Sequence, residues 1–434
     1  MARAGRSWGR YPVTTEKVIA LSDRHAPLPP STLPVLPLGN ARSYGDSCLN
    51  DGGVLLAARG LDHFIAFDPA TGVLTCEAGV LFADILDLVV PQGWFLPVTP
   101  GTRFVTVGGA IANDVHGKNH HRAGTFGHHV LAFELLRTDG SRRVCSPTEN
   151  ADWFAATVGG LGLTGVITRA TIQLRRIAGP WMSTESHRFE SLAGFFDLSQ
   201  ASDRDYEYTV SWIDCAAKGK ALGRGLFSRA NHAPSRPDQR PATSSRRLAM
   251  PITPPVSLVN SLSLRAFNQL YYHRQRQRVA HATTHYQPFF YPLDSIAHWN
   301  RMYGPRGFLQ YQCVVPPAAA EATMFELVKT IADAGGGSFL AVLKQFGDRP
   351  SPGMLSFSRQ GTTLALDFPN DGAGVFSLLD RLDAIVADKG GAVYPAKDAR
   401  MSAAHFRAYF PAHEAFSAFV DPGVSSSFWR RVSA

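Results

Sequence analysis

Pro100-Gly101-Thr102-Arg103-Phe104-Val105-Thr106-Val107-Gly108-Gly109-Ala110-Ile111-Ala112-Asn113-Asp114-Val115-His116-Gly117-Lys118-Asn119-His120-His121 is the stretch on which the reading of this chain turns. It packs glycines, small residues, hydroxyls and three histidines between runs that read as strand or helix. Glycine lets a backbone approach a ligand closely or adopt positive φ, and free N–H groups in such a loop bind phosphate oxygens. The stretch therefore reads as a loop that cradles a pyrophosphate. A lone Gly-Gly or a lone histidine would read as an ordinary surface loop. The neighbouring segments shift the weighing.

Leu38-Gly39-Asn40-Ala41-Arg42-Ser43-Tyr44-Gly45-Asp46 lies between the apolar Pro34–Pro37 and Gly52–Ala57. It reads as strand, donor-rich turn, strand. Thr157-Val158-Gly159-Gly160-Leu161-Gly162-Leu163-Thr164-Gly165-Val166-Ile167-Thr168 places small residues where a flat ring could lie against backbone. No Gly-Lys-Ser/Thr occurs and the glycine spacing is not that of a strand-GxGxxG-helix unit, which argues against a Walker loop and a Rossmann nicotinamide site.

Taken in order, the three segments resemble the flavoproteins of the vanillyl-alcohol oxidase type, the PCMH-type FAD-binding superfamily. A narrower resemblance rests on four strings: Gly39–Asp46, His116-Gly117-Lys118-Asn119-His120-His121, Gly307-Phe308-Leu309-Gln310-Tyr311-Gln312 and Tyr394-Pro395-Ala396-Lys397-Asp398-Ala399-Arg400. Together they are similar to the decaprenylphosphoryl-β-D-ribose 2'-oxidase family, the oxidising half of a 2'-epimerase. The resemblance runs from about Trp8 to the C terminus and weakens between Phe227 and Phe289. It implies an α+β fold. A PCMH-type FAD-binding domain of two subdomains would span 1–178 and a substrate-binding cap domain 179–391, with an antiparallel sheet covered by helices. Residues 392–434 would return to the FAD domain.

Carried over residue by residue, the resemblance implies FAD contacts at Gly39, Asn40, Ala41, Arg42, Ser43, Tyr44, Gly101, Thr102, Thr106, Gly108, Gly109, Asn113, His116, Gly117, Asn119, Ile167 and Tyr394. It implies substrate contacts at Tyr44, Lys118, Gln310, Gln312, Lys344, Ala365 and Lys397. Lys397, His116, Lys344 and Gln312 are the catalytic candidates. Alcohol oxidation needs a group to take the hydroxyl proton as hydride leaves. A lysine held near a flavin and away from water can act as that base, or stay charged and stabilise the alkoxide. Lys344 interrupts the apolar Val342-Leu343-Lys344-Gln345-Phe346. Arg42 stands where many superfamily members attach FAD through histidine, so FAD should be held non-covalently. Ala365 stands where family members carry cysteine. An inhibitor that needs that thiol should bind only reversibly, and a covalent adduct on this strand by mass spectrometry would overturn the expectation.

The 434 residues, 45% of them hydrophobic, can bury a large core in two domains. A net charge of +8 favours an anionic ligand or surface without naming one. Cys48, Cys76, Cys145, Cys215 and Cys313 show no CxxC pair, which reads as free thiols in a reducing compartment. The His cluster lacks carboxylate or cysteine at ligand spacing, so no metal is expected. No apolar run approaches the roughly 20 residues that span a bilayer. No apolar stretch follows the basic start, so a secretory leader is not supported. These features give a cytoplasmic expectation with peripheral attachment to the inner membrane, the periplasmic face remaining open.

Short strands are expected at Val54–Ala57, His63–Phe67, Val73–Cys76, Leu131–Leu136, Val166–Leu174, Phe339–Phe346 and Thr363–Phe368. Helices are expected at Leu81–Val90, Ala318–Ala334 and Gly374–Asp388. Residues 228–284, rich in Arg and Pro, read as a mobile basic segment, either solvated or a lid touching a lipid phosphate and anionic headgroups. Arg229, Arg236, Arg240, Arg246, Arg247, Arg265, Arg274, Arg276 and Arg278 are its cations. No aromatic stacking platform accompanies them, which argues against nucleic acid.

The expected activity is FAD-dependent oxidation of the 2'-hydroxyl of a polyprenyl-phosphoryl ribofuranose to the 2'-keto sugar. By resemblance its partners are an NAD(P)H-dependent short-chain keto-reductase and a quinone or other electron acceptor. The alternatives are a soluble alditol or aldonolactone oxidase using oxygen, and a nucleic-acid- or membrane-binding protein on a flavin fold.

Overall fold

The computed structural model describes residues 5–234 and 248–434. Arg236, Arg240, Arg246 and Arg247 of the basic segment lie outside the described residues. The first apolar strands form a parallel sheet with Val54–Ala57 between Lys17–Ala20 and Val35–Leu38. Leu55 and Leu56 are both fully buried, as a central parallel strand covered on two faces requires.

A five-stranded antiparallel sheet follows, in the order Phe64–Asp68, Val73–Glu77, Val166–Gln173, Val130–Leu136, Arg142–Cys145. Helix Phe82–Val89 packs into the core of this sheet through Phe82, Ile85, Leu86 and Val89, the i, i+3, i+4, i+7 stripe that the sequence shows.

The glycine-rich stretch is not a loop throughout. Val107–Ala112 is a short helix whose N-cap, Thr106, accepts a hydrogen bond from the Gly109 N–H at 3.1 Å. Glycine disfavours helix on propensity alone, and packing overrides it here. A Cβ at Gly108 would stand 3.0 Å from the Ala78 side chain, so the bare backbone is what lets this helix lie against Ala78.

The third sheet has eight strands, every pairing antiparallel. Its order is Val279–His285, Trp181–Phe189, Gly225–His232, Tyr208–Ile213, Val342–Phe346, Gly361–Pro369, Phe308–Val315, Ala392–Val393. Helices Ala320–Asp333 and Ala373–Asp388 bury Leu327, Ile331, Leu378 and Leu382 in one cluster with Leu364, Leu366 and Phe368. Side chains alternate along a strand, so Thr363, Ala365 and Asp367 point the other way, into a cavity.

Two expectations need correction. The strand expected from Phe339 begins at Val342, because the Phe339 carbonyl accepts from Trp212 Nε1 at 2.8 Å and the Leu340 N–H donates to Ser338 Oγ. Residues 228–284 are, where described, mostly regular structure rather than one mobile segment. Their two ends belong to strands of the large sheet, and Ser261–His273 is a helix capped by Asn260. Leu264, Asn268 and Tyr272, one turn apart, face inward, and Asn268 Nδ2 donates to the buried Asp214 Oδ1 at 2.9 Å.

Ala392–Val393 still pairs with Phe308–Val315. Further on, the chain docks beside the parallel sheet, where the Val35 N–H donates to the Gly423 carbonyl and the Ser427 N–H to the Leu49 carbonyl, both at 2.8 Å.

Candidate active site

Loops between the sheets and the open face of the eight-stranded sheet enclose a cavity of about 530 Å³. All residues nominated from the sequence line it except Asn119. Asn119 is buried off the cavity, where its Nδ2 donates to the Pro97 carbonyl at 2.9 Å. Its polar side chain ties the loop to the Pro97 carbonyl.

One half of the cavity is built for phosphate. The backbone N–H groups of residues 40–43 donate no hydrogen bond among the described residues. Ala41 has a φ of 49°, the left-handed conformation of anion-binding nests. Asn40 Nδ2 donates to the Phe104 carbonyl at 2.7 Å and so ties this turn to the glycine-rich stretch. The Arg42 guanidinium lies 4.0 Å over the Trp8 ring, and its buried Nε has no partner. Burial also pulls its pKa below the usual value. Gly101 has open space where a side chain would stand. Backbone donors unpaired among the described residues, a guanidinium whose Nε has no hydrogen bond there and a bare backbone together fit the diphosphate and flat ring of FAD. Tyr394, stacked on Phe357 at 4.6 Å, anchors the far wall by donating its hydroxyl to the Asn113 carbonyl at 2.8 Å.

The other half holds amines and amides. Register puts Ala365 opposite both Gln312 and Val342, and Gln310 opposite Asp367. The Gln312 amide nitrogen lies 2.9 Å from His116 Nε2, Lys344 Nζ lies 3.3 Å from His116 Nδ1, and Nζ donates to the Gly117 carbonyl at 3.3 Å. Burial first, then the Lys344 charge, keeps His116 neutral. A neutral ring has one acceptor nitrogen, so it accepts from Lys344 at Nδ1 or from the Gln312 amide nitrogen at Nε2, one at a time.

Three lysines share this space. Burial brings Lys344 down to about 7, helped by the charges of Lys118 and Lys397. Lys118, whose Nζ donates to the Phe290 carbonyl at 3.0 Å, is brought down to about 8 by burial. Lys397 is lowered to about 8 by burial, with Asp367 opposing. Its Nζ sits 3.9 Å from the centre of the Tyr44 ring and donates no hydrogen bond among the described residues. An amine so placed is free to bond a ligand.

Asp367 and Asp294 are cavity residues that sequence reasoning missed. Burial raises Asp367 to about 7, and it accepts from Gln310 Nε2 at 2.6 Å and from the Tyr303 hydroxyl at 3.4 Å. Its signal was present: it interrupts Leu364-Ala365-Leu366-Asp367-Phe368 as Lys344 interrupts its own strand. Asp294 accepts from the Arg103 N–H at 2.9 Å, and nothing in its flanking sequence marks it. Among the described residues no three His, Cys, Asp or Glu side chains gather as a metal site.

Residues 17–146 match the FAD binding domain family. The decaprenylphosphoryl-beta-D-ribose oxidase of Mycolicibacterium smegmatis is 36% identical over 423 residues, 93% of this chain and 90% of that protein. A protein of Streptomyces coelicolor from the mprA 5' region is 37% identical over 352 residues, 78% of this chain and 95% of that one. Human Delta(24)-sterol reductase is 34% identical over 114 residues, covering 26% and 22% of the two chains. Cradle, amine cluster and family match together define an FAD-dependent oxidoreductase of the PCMH type that acts on a CH–OH group. Within that class, the chain belongs to the decaprenylphosphoryl-β-D-ribose oxidase family.

Proposed function

We propose that this protein oxidises the 2'-hydroxyl of a polyprenyl-phosphoryl-β-D-ribofuranose to the 2'-keto sugar. The observation that carries the reading is Lys397: an amine lowered to about 8, whose Nζ makes no hydrogen bond among the described residues, in the same cavity as the phosphate cradle. Bound FAD supplies the hydride acceptor. Lys397 Nζ takes the hydroxyl proton, a task best done by a base whose pKa lies near working pH. Asp367 beside it sets how readily that proton is held. His116, fixed by Lys344 and Gln312, orients the sugar through its neutral ring. Lys118 and Arg274, both lining the cavity, are the cations offered to the substrate phosphate.

Prenylphosphoryl ribose should therefore turn over with a dye acceptor, giving a product lighter by two hydrogens, while free alditols and aldonolactones at equal concentration do not. Faster turnover of a free alditol with peroxide formation would sink the reading. The keto product suits an NAD(P)H-dependent keto-reductase as consumer, and a quinone suits the electrons.

A lipid substrate needs access from a bilayer, and one surface supports that. Ile252, Val256, Leu262 and Leu270 are 68, 69, 78 and 75% exposed around helix Ser261–His273, beside the exposed Arg265, Arg274 and Arg276. Tyr271 and Arg274, at the end of that helix, line the cavity. Apolar residues ringed by arginine match an anionic lipid surface. The protein should co-sediment with phosphatidylglycerol vesicles, and Leu262→Asp with Leu270→Asp should abolish this. Equal binding by the double variant would contradict the surface. No helix among the described residues is long and apolar enough to cross a membrane.

A further inference from the structure

We infer that Arg431, on the last helix Ser427–Val432, is a positioning residue that holds the loop carrying Lys397 against the loop carrying Tyr44. The inference rests on the reading of Lys397 given above. Arg431 Nε and Nη2 donate to the two carboxylate oxygens of Asp46 at 3.1 and 2.6 Å. Nη2 also donates to Asp398 Oδ2 at 3.1 Å, and Nη1 to the Met401 carbonyl. Asp46 lies two residues past Tyr44, and Asp398 directly follows Lys397. One guanidinium thus closes the seam between the two loops.

The seam itself is tight. The Tyr44 N–H donates to the Ala396 carbonyl at 2.9 Å. Asp398 Oδ2 also accepts from the Arg400 and Met401 N–H groups at 3.0 and 2.8 Å, which fixes the turn after Lys397. Both carboxylates are buried, 4% exposed for Asp46 and 5% for Asp398. Remove the shared cation and two buried like charges face each other, each short of its partner. They separate most readily by opening the seam, which draws Tyr44 off Lys397 and lets water reach the amine. The other groups that face Lys397 stay where they are: Asp367 on Gly361–Pro369, Lys344 on Val342–Phe346, and His116. A change in Lys397 titration would then report the seam.

The test is competitive acylation of Lys397 in the FAD-loaded protein, followed across pH by peptide mass spectrometry, beside the pH profile of flavin reduction. The unaltered protein should label with a midpoint of about 8. In Arg431→Ala that midpoint should climb toward the ordinary lysine value of about 10.4. Flavin reduction should fall on the order of 10- to 100-fold, its pH limb moving the same way. Arg431→Lys, which keeps the charge and loses the fork, should lie between. Arg430→Ala, on the same helix as Arg431, frees Asn50 and the Asp51 carbonyl and should leave both readouts unchanged. Adding Asp46→Asn to Arg431→Ala removes one of the repelling charges and should restore much of the profile. If Arg431→Ala does not fold, Arg431→Lys and this double variant carry the test.

An unchanged labelling midpoint and pH limb in the folded Arg431 variants would overturn the inference, whatever their thermal stability. Failure of the underlying reading looks different: Lys397→Met would then reduce its flavin at the full rate.

Discussion

Lys397→Met is expected to slow substrate-driven flavin reduction by about 10²- to 10⁴-fold, the contribution of a positioned general base, while FAD stays bound. The amine touches the cavity and the Tyr44 ring, and the phosphate cradle on residues 39–44 and 101–109 does not depend on it. The pH dependence gives the role its sign. A base must be unprotonated to act, so the rate should rise as pH passes through about 8 and level off above it. Asp367 and Lys344, both near 7, titrate before that limb is reached. Lys397→Arg sharpens the distinction, because guanidinium keeps its charge and gives up no proton in this range. If Lys397 is the base, Arg is as damaging as Met. A rate that falls above pH 8, with Arg retaining activity, would instead make the ammonium a stabiliser of the alkoxide.

Gly45→Val should be the most damaging single substitution for the cofactor site. Its φ of −111° is not the left-handed conformation that favours glycine. Space is the constraint: a Cβ at Gly45 would stand 1.6 Å from the Asp398 carbonyl oxygen, backbone against backbone. Neither chain can yield without parting the loops that carry Tyr44 and Lys397. Overpacking of this kind costs about 1–3 kcal/mol and sometimes more. We expect a protein purified largely without FAD, with a lower Tm and no turnover. Gly374→Ala is the control: it lies on helix Ala373–Asp388 with nothing within 4 Å of the added methyl, and should match or exceed the parent in Tm. A Gly45→Val protein that holds FAD at full occupancy would refute the packing argument.

How far the sequence carried the reading depended on whether a signal was local. The strand at Val54–Ala57 and the helices near Ala320–Asp333 and Ala373–Asp388 could be read because apolar periodicity is a short-range property. The helix at Val107–Ala112 could not, since its glycines are offset by tertiary packing: Gly108 lies against Ala78, thirty residues away in sequence, and Val107, Ala110 and Ile111 are buried in the core. The basic stretch near 260 looked mobile by composition, yet the inward face of its helix rests on Leu264, Asn268 and Tyr272 against a distant strand and its loop. At the site, Lys344 stood out as a charge in an apolar run, and Asp367 would have stood out by the same rule. The pairing of Asp46 and Asp398 through Arg431 spans nearly the whole chain and leaves no trace in any window of it.

The central claim is that one cavity holds FAD beside a base for a lipid-linked ribose, and an anaerobic absorption spectrum tests it most directly. The purified protein should show the oxidised flavin band, and a short-chain prenylphosphoryl ribose should bleach it without any other reductant. A band that survives saturating prenylphosphoryl ribose and bleaches with a free alditol would contradict the claim.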